Sequence, residues 1–147
     1  MKIIAQRSKE AFVKVNNELI NKIDKGLVIL VGFTHDDTEQ DIDYIVKKII
    51  NLRIFDDENG IMNKSILDTG GSILSISQFT LYANTKKGNR PSYINALSGD
   101  DAIKLYELFN KKLNEYIETK SGIFGSDMQV TLTNDGPVTI TIDSKSK

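Results

Sequence analysis

Leu27-Val28-Ile29-Leu30-Val31 places five apolar residues in a row between Gly26 and Gly32. A run of this length suits a strand buried on both faces, not a half-wet strand or a full helix. Other parts of the chain must therefore cover it on each side. The segment 38–51 is one cover: Ile42, Ile45, Val46, Ile49 and Ile50 fall at i, i+3, i+4, i+7 and i+8, one apolar stripe on a helix. Asp37 is the expected N-cap with Gln40 as its reciprocal partner, and Asp36 and Glu39 suit the positive end of the helix dipole. A second helix is expected over 101–118, capped by Ser98 or Asp100. Its inner face would be Leu105, Leu108, Phe109, the stem of Lys112, Leu113 and Tyr116.

The remainder reads as strands. Residues 1–6 and 11–15 form two short ones, and Asn16-Asn17 tolerates positive φ in a tight hairpin to a strand near 18–23. Leu52–Phe55 leads into a turn at 56–60, and a longer strand follows at 72–82. Met128, Val130 and Leu132 alternate with polar residues, as do Val138, Ile140 and Ile142, so each set suits a strand with one wet face. The sum is an α+β chain: a strongly β single domain over 1–147, with two packed, barrel-like sheets and two main helices. Residues 143–147 are expected to be a disordered tail.

Composition removes whole chemistries. The 147 residues include no cysteine, which excludes disulfides, thiolate metal sites and cysteine nucleophiles. The single histidine, His35, excludes a multi-histidine metal centre, and neither a metal nor another cofactor is expected. With 19 Lys and Arg against 20 Asp and Glu, contact with nucleic acid must come from a local patch. No apolar run approaches the ~20 residues of a membrane span. The first residues are too short an apolar stretch for a signal peptide, so a soluble cytoplasmic protein with no membrane partner is expected.

Three stretches break the pattern. In 72–82 the polar residues sit at odd positions up to Ser77, then at even positions from Gln78, so the polar face changes sides. A bulge, a strand crossing between environments, or a buried strand with satisfied hydroxyls each accounts for this. If it is a bulge, the segment suits a pocket wall. Asn134-Asp135-Gly136-Pro137-Val138-Thr139 carries ordinary hairpin-turn chemistry, with a proline that tolerates a cis bond. Thr85-Lys86-Lys87-Gly88-Asn89-Arg90-Pro91-Ser92-Tyr93 is either a solvated loop or a phosphate-contacting one. His35 reads as an exposed loop residue, because no Gly-x-Ser-x-Gly elbow accompanies it. Gly70-Gly71 is a turn without a P-loop lysine.

Ser77-Gln78-Phe79-Thr80-Leu81-Tyr82-Ala83, with Asn134-Asp135-Gly136-Pro137-Val138-Thr139, resembles the D-aminoacyl-tRNA deacylase family. Gln6-Arg7, Leu30-Val31-Gly32, Asn51–Phe55, Arg90-Pro91-Ser92 and Phe124-Gly125 through Met128-Gln129-Val130 extend the likeness over nearly the whole chain. The resemblance implies a homodimer that hydrolyses the ester joining a D-amino acid, or glycine mischarged on tRNA-Ala, to the terminal ribose of tRNA. It implies a pocket at the subunit interface. Ser77, Gln78, Phe79 and Thr80 would line it from one chain, and Gly136-Pro137, with a cis peptide, would enter from the other. Arg7 would hold the Gly-Pro segment, and Phe124 and Met128 would wall the adenosine. Lys86, Lys87 and Arg90 are the expected phosphate contacts, and no DNA partner is expected.

Rejection by clash follows from this arrangement: a D side chain projects outward while an L side chain meets a rigid wall. With no thiol available, water attack assisted by the ribose hydroxyl is favoured, with backbone N–H groups near Phe79 and Thr80 stabilising the oxyanion. Competing readings are an esterase with Thr80 as nucleophile, a module that only binds an RNA 3′ end, and a dimer whose motifs serve folding alone.

Overall fold

The computed structural model describes residues 1–147. Strand β1 (Lys2–Val15) organises the chain, because it is long enough to pair with different partners along its two halves. Its first half pairs with β3 (Gly26–Gly32), and its second half pairs with β2 (Glu18–Ile23). The turn between β1 and β2 holds Asn16 and Asn17 at φ 50° and 63°, as their side chains allow. Along its other edge, β1 carries one partner for its whole length, β8 (Gln129–Asp143). On the far side of β3 lie β6 (Ser72–Ser77) and then β7 (Thr119–Ser121), both parallel to their neighbours.

The six-stranded sheet curls until its ends nearly meet. Asn21 of β2 donates to the Ser121 carbonyl of β7 at 2.6 Å, and Lys120 Nζ donates to the Lys22 carbonyl at 2.9 Å. The inner face of this nearly closed barrel holds Ala11, Val13, Ile23, Val28, Leu74 and Ile76. The outer face packs on α1 (Glu39–Asn51) and α3 (Gly99–Asn114). The continuous apolar run of β3 serves both layers: Val28 faces in, while Leu27 and Ile29 face the helices. Ile42, Ile45 and Ile49 of α1 are fully buried, each contributing about 1.5–3 kcal/mol. A small second sheet, β4 (Phe55–Asp56) with β5 (Met62–Lys64), and a single-turn helix α2 (Ile66–Thr69) complete the α+β domain.

Several boundaries differ from the sequence reading. The expected strand over 72–82 stops at Ser77 and gives way to a 3-10 turn over Phe79–Tyr82. The polar switch at Ser77-Gln78 is this change of element, not a bulge. Residues 129–143 form one strand rather than two joined by a hairpin, and the Gly136-Pro137 segment is a register shift within its pairing to β1. Residues 2–15 are likewise one strand. Thr38, not Asp37, caps α1, with Asp41 as its capping-box partner. Asp37 instead binds the Met1 ammonium at 2.5 Å and the Thr34 N–H at 2.7 Å. Helix α3 ends at Asn114, which leaves Tyr116 exposed rather than on the inner face. The terminal segment expected to be loose is pinned at two residues: Ser144 is buried against Met1, and Lys145 Nζ donates to Asp41 at 3.0 Å.

Candidate active site

A cleft of about 290 Å³ opens where β6 ends. Ser77, Gln78 and Phe79 line it from the end of β6, and Phe124 and Met128 line it from the segment before β8. Its position follows from the sheet. Val31 pairs with Ser77 at the last register position of β3 and β6, so β6 has no ladder beyond it. The Gln78 N–H still donates to the Val31 carbonyl at 2.7 Å, and the chain then turns. Gly32 lets this happen, because a Cβ there would lie 2.8 Å from the Gln78 carbonyl oxygen. The amides of Phe79 and Thr80 are the first two of the 3-10 turn, and such amides have no acceptor within the turn. The Thr80 side chain is not part of the cleft lining; its hydroxyl accepts from Gln78 Nε2 at 2.5 Å.

A second cluster surrounds Arg7 of β1. Its Nη1 donates to the Ile54 carbonyl at 2.9 Å, and its Nε donates to the Asp135 carbonyl at 3.3 Å. Carboxylates of Asp56 and Asp135 each lie 3.2 Å away. The guanidinium therefore fastens the segment just before Gly136. The Gly136–Pro137 peptide bond is cis, and both residues are exposed.

These two clusters do not meet within one chain. Arg7 pairs with Leu27, whereas Ser77 pairs with Val31. Four residues of β3 separate those positions, about 13 Å along a strand. Neither Gly136 nor Pro137 lines the cleft.

Residues 4–143 match the family described as D-Tyr-tRNA(Tyr) deacylase. The chain belongs to this family. The deacylase fold also matches a solved structure described as c-Myc DNA Unwinding Element Binding Protein, at 39% identity and TM-score 0.92, covering 97% of this chain and 98% of that one. A second solved structure is described as a probable eukaryotic D-amino acid tRNA deacylase. It shares 17% identity and a TM-score of 0.82, covering 96% and 97% of the two chains, and at that identity it speaks for the fold. Family membership makes the chain a hydrolase that deacylates D-aminoacyl-tRNA.

In the deacylase, Lys86, Lys87 and Arg90 stand exposed on a loop closed by the Asn84–Ser92 bridge, and none of them pairs with an acidic side chain. His35 lies beyond the cleft lining, with Nε2 2.8 Å from the Ile94 carbonyl oxygen. No helix is long and apolar enough to cross a membrane.

Tyr106 is buried on the inner face of α3, a position that the expected apolar stripe omits. Its hydroxyl donates to the Ser75 carbonyl at 2.7 Å, and its ring lies 5.7 Å from that of Phe124. Burial pushes its phenol above the ordinary tyrosine range. The signal was available, since Tyr106 stands three residues before Phe109 on the same helical stripe. One side chain of α3 thus steadies both the strand that delivers Ser77 and the Phe124 ring that also lines the cleft.

Proposed function

We propose that the cleft beside Ser77, Gln78 and Phe79 takes the aminoacyl-adenosine end of tRNA, and that Gly136-Pro137 of a second copy closes it. The observation that carries this reading is the ~13 Å between the cleft end of β3 and the position of Arg7. A single chain holds both family motifs but keeps them apart, so a two-fold dimer is the simplest way to unite them. The Arg7 guanidinium then serves as the brace that keeps the entering edge rigid.

Rigidity is what discrimination by clash needs. With the ammonium and ester held in the cleft, a D side chain projects to solvent, while an L side chain points into the edge. Glycine has no side chain to clash, so glycyl-tRNA, including that mischarged on tRNA-Ala, passes the same filter. In the chemical step a water oxygen bonds to the ester carbonyl carbon, the bond to the ribose oxygen breaks, and that oxygen leaves with a proton. The neighbouring ribose hydroxyl assists the proton movement. The amides of Phe79 and Thr80 stabilise the charge on the carbonyl oxygen. Lys86, Lys87 and Arg90 contact phosphates of the acceptor stem.

A chain 39% identical is described as a DNA-binding protein, and unpaired cations suit any phosphate backbone, so simple binding without hydrolysis is the second reading. Incubation with D-tyrosyl-tRNA and L-tyrosyl-tRNA separates the two. The proposal expects free D-tyrosine only; binding to either nucleic acid without release of tyrosine refutes it. Mixing two inactive variants tests the shared site. Phe79→Pro removes one amide donor at a turn position where proline fits, and Gly136→Val disrupts the entering edge. Subunit exchange should restore activity, because each mixed dimer contains one intact site. Absence of any recovery contradicts the cross-chain arrangement.

A further inference from the structure

Phe79 and Tyr93 form an exposed aromatic corner at the mouth of the cleft. Their ring centroids are 5.0 Å apart and the planes meet at 67°. Phe79 is 53% exposed and Tyr93 39%, and the next residue, Ile94, is 75% exposed. Large apolar groups left in water beside a cleft call for an occupant. The corner is fixed rather than loose. Asn84 and Ser92 exchange backbone bonds at 2.8 and 2.9 Å just before Tyr93, and just after it the Asn95 carbonyl accepts from the Thr34 hydroxyl at 2.6 Å. The loop it borders carries Lys86, Lys87 and Arg90 with no acidic partners.

Exposed aromatic faces beside unpaired cations are the arrangement that binds single-stranded nucleic acid: the rings stack on bases while the cations follow the phosphates. From this geometry we infer that Phe79 and Tyr93 are a stacking subsite for the unpaired nucleotide that precedes the terminal adenosine of tRNA. The inference rests on the reading that the adenosine itself lies in the cleft. A base resting on the face of one ring meets the edge of the other, so the corner holds one base and marks the direction in which the strand leaves. Any base has a face to stack, so the subsite adds affinity without reading sequence. It also gives the deacylase a preference for a polynucleotide end over a free aminoacyl nucleoside.

The test compares two non-hydrolysable ligands: a D-tyrosyl-minihelix and D-tyrosyl-adenosine, each joined through an amide. In the unaltered protein the minihelix binds more tightly. Tyr93→Ala should shrink that advantage by about fivefold to a hundredfold, the worth of one base on one ring, and leave D-tyrosyl-adenosine affinity unchanged. Tyr93→Phe keeps the ring and should keep the advantage, which separates stacking from a damaged loop. An unchanged ratio in Tyr93→Ala overturns the subsite, as does equal weakening of both ligands. If instead Tyr93→Ala weakens self-association in sedimentation and leaves the ratio intact, a second copy covers the corner and the proposal fails. Failure of D-tyrosyl-adenosine to compete with D-tyrosyl-tRNA refutes the cleft reading itself, and the subsite with it.

Discussion

Arg7 and Asp135 are joined twice: the guanidinium Nε donates to the Asp135 carbonyl at 3.3 Å and stands 3.2 Å from that residue's carboxylate. The Arg7 side chain is only 11% exposed, and it also bonds the Ile54 carbonyl. Removing it leaves two carbonyls without a strong donor. Arg7→Ala should cost about 2 kcal/mol of stability by denaturant titration. It should also raise the rate on L-tyrosyl-tRNA relative to D-tyrosyl-tRNA, because the edge loses its brace. Arg7→Lys keeps the charge but not the planar fork, so its D-to-L ratio should fall between those of the unaltered protein and Arg7→Ala. A stability loss with an unaltered ratio would confine Arg7 to folding.

Gly136 leaves no space for a side chain. It sits at φ +121°, and a Cβ there would lie 2.8 Å from both the Val138 nitrogen and Cγ2, and 3.3 Å from Arg7 Nη2. Gly136→Ala should therefore shift the segment and lower deacylation of D-tyrosyl-tRNA, and Gly136→Val should lower it further. Single-turnover rates measure this. Unchanged rates in both variants remove the steric account of the filter.

Lys86, Lys87 and Arg90 should be interchangeable in one respect. Neutralising any one of them should lower tRNA affinity and flatten the dependence of log K on log salt by about 0.7–0.9. Filter binding over a salt series reads the slope. A slope that stays constant in all three variants marks the loop as merely solvated.

The acid limb of stability should involve Asp41. Burial pushes its carboxyl up, but the Thr38 N–H, the Ser144 hydroxyl and the Lys145 ammonium outweigh that and hold it well below the ordinary carboxylate range. A lowered native value means that the contribution is present above the unfolded value of about 4 and is lost as pH falls below it. Stability measured from about pH 5 down to about pH 2 should fall by up to about 1.4 kcal/mol per unit on this account. Asp41→Asn should be less stable at neutral pH and should show a shallower acid slope. An identical slope assigns the acid sensitivity to other carboxylates.

What could be read in advance depended on whether a signal was local. The α1 stripe was legible because Ile42, Ile45 and Ile49 carry a helical period that needs no knowledge of their partners. The end of β6 was not legible, because Ser77 is the last strand residue only where β3 runs out at Gly32. Gly136-Pro137 looks like a hairpin in isolation. It stays within a strand because β1 pairs on both sides of it, Gln6 with Thr139 and Ser8 with Asn134. The end of α3 is likewise set from outside: Asn114 Oδ1 accepts from the Thr119 N–H at 2.8 Å and draws the chain into β7. The cleft motif was visible as residue types, but the ~13 Å separation from Arg7 emerges only once the register is known.

The surroundings of Thr80 argue against a nucleophile in the chemical step. The hydroxyl oxygen is bonded to Gln78 Nε2 at 2.5 Å, and a carboxamide is a poor base at neutral pH at either of its ends. A hydroxyl needs an adjacent base to attack an ester, and the one imidazole in the chain, on His35, is engaged with the Ile94 carbonyl oxygen away from the cleft. What Thr80 does contribute is position: its amide belongs to the turn that follows Gln78. Alanine keeps that amide. Thr80→Ala should accordingly deacylate D-tyrosyl-tRNA within about tenfold of the unaltered protein, about 1.4 kcal/mol in the barrier, with its affinity for the amide-linked analogue little changed. A loss of about a thousandfold or more at unchanged affinity is the scale expected when a nucleophile or its base is removed, and it would return the side chain to the reaction.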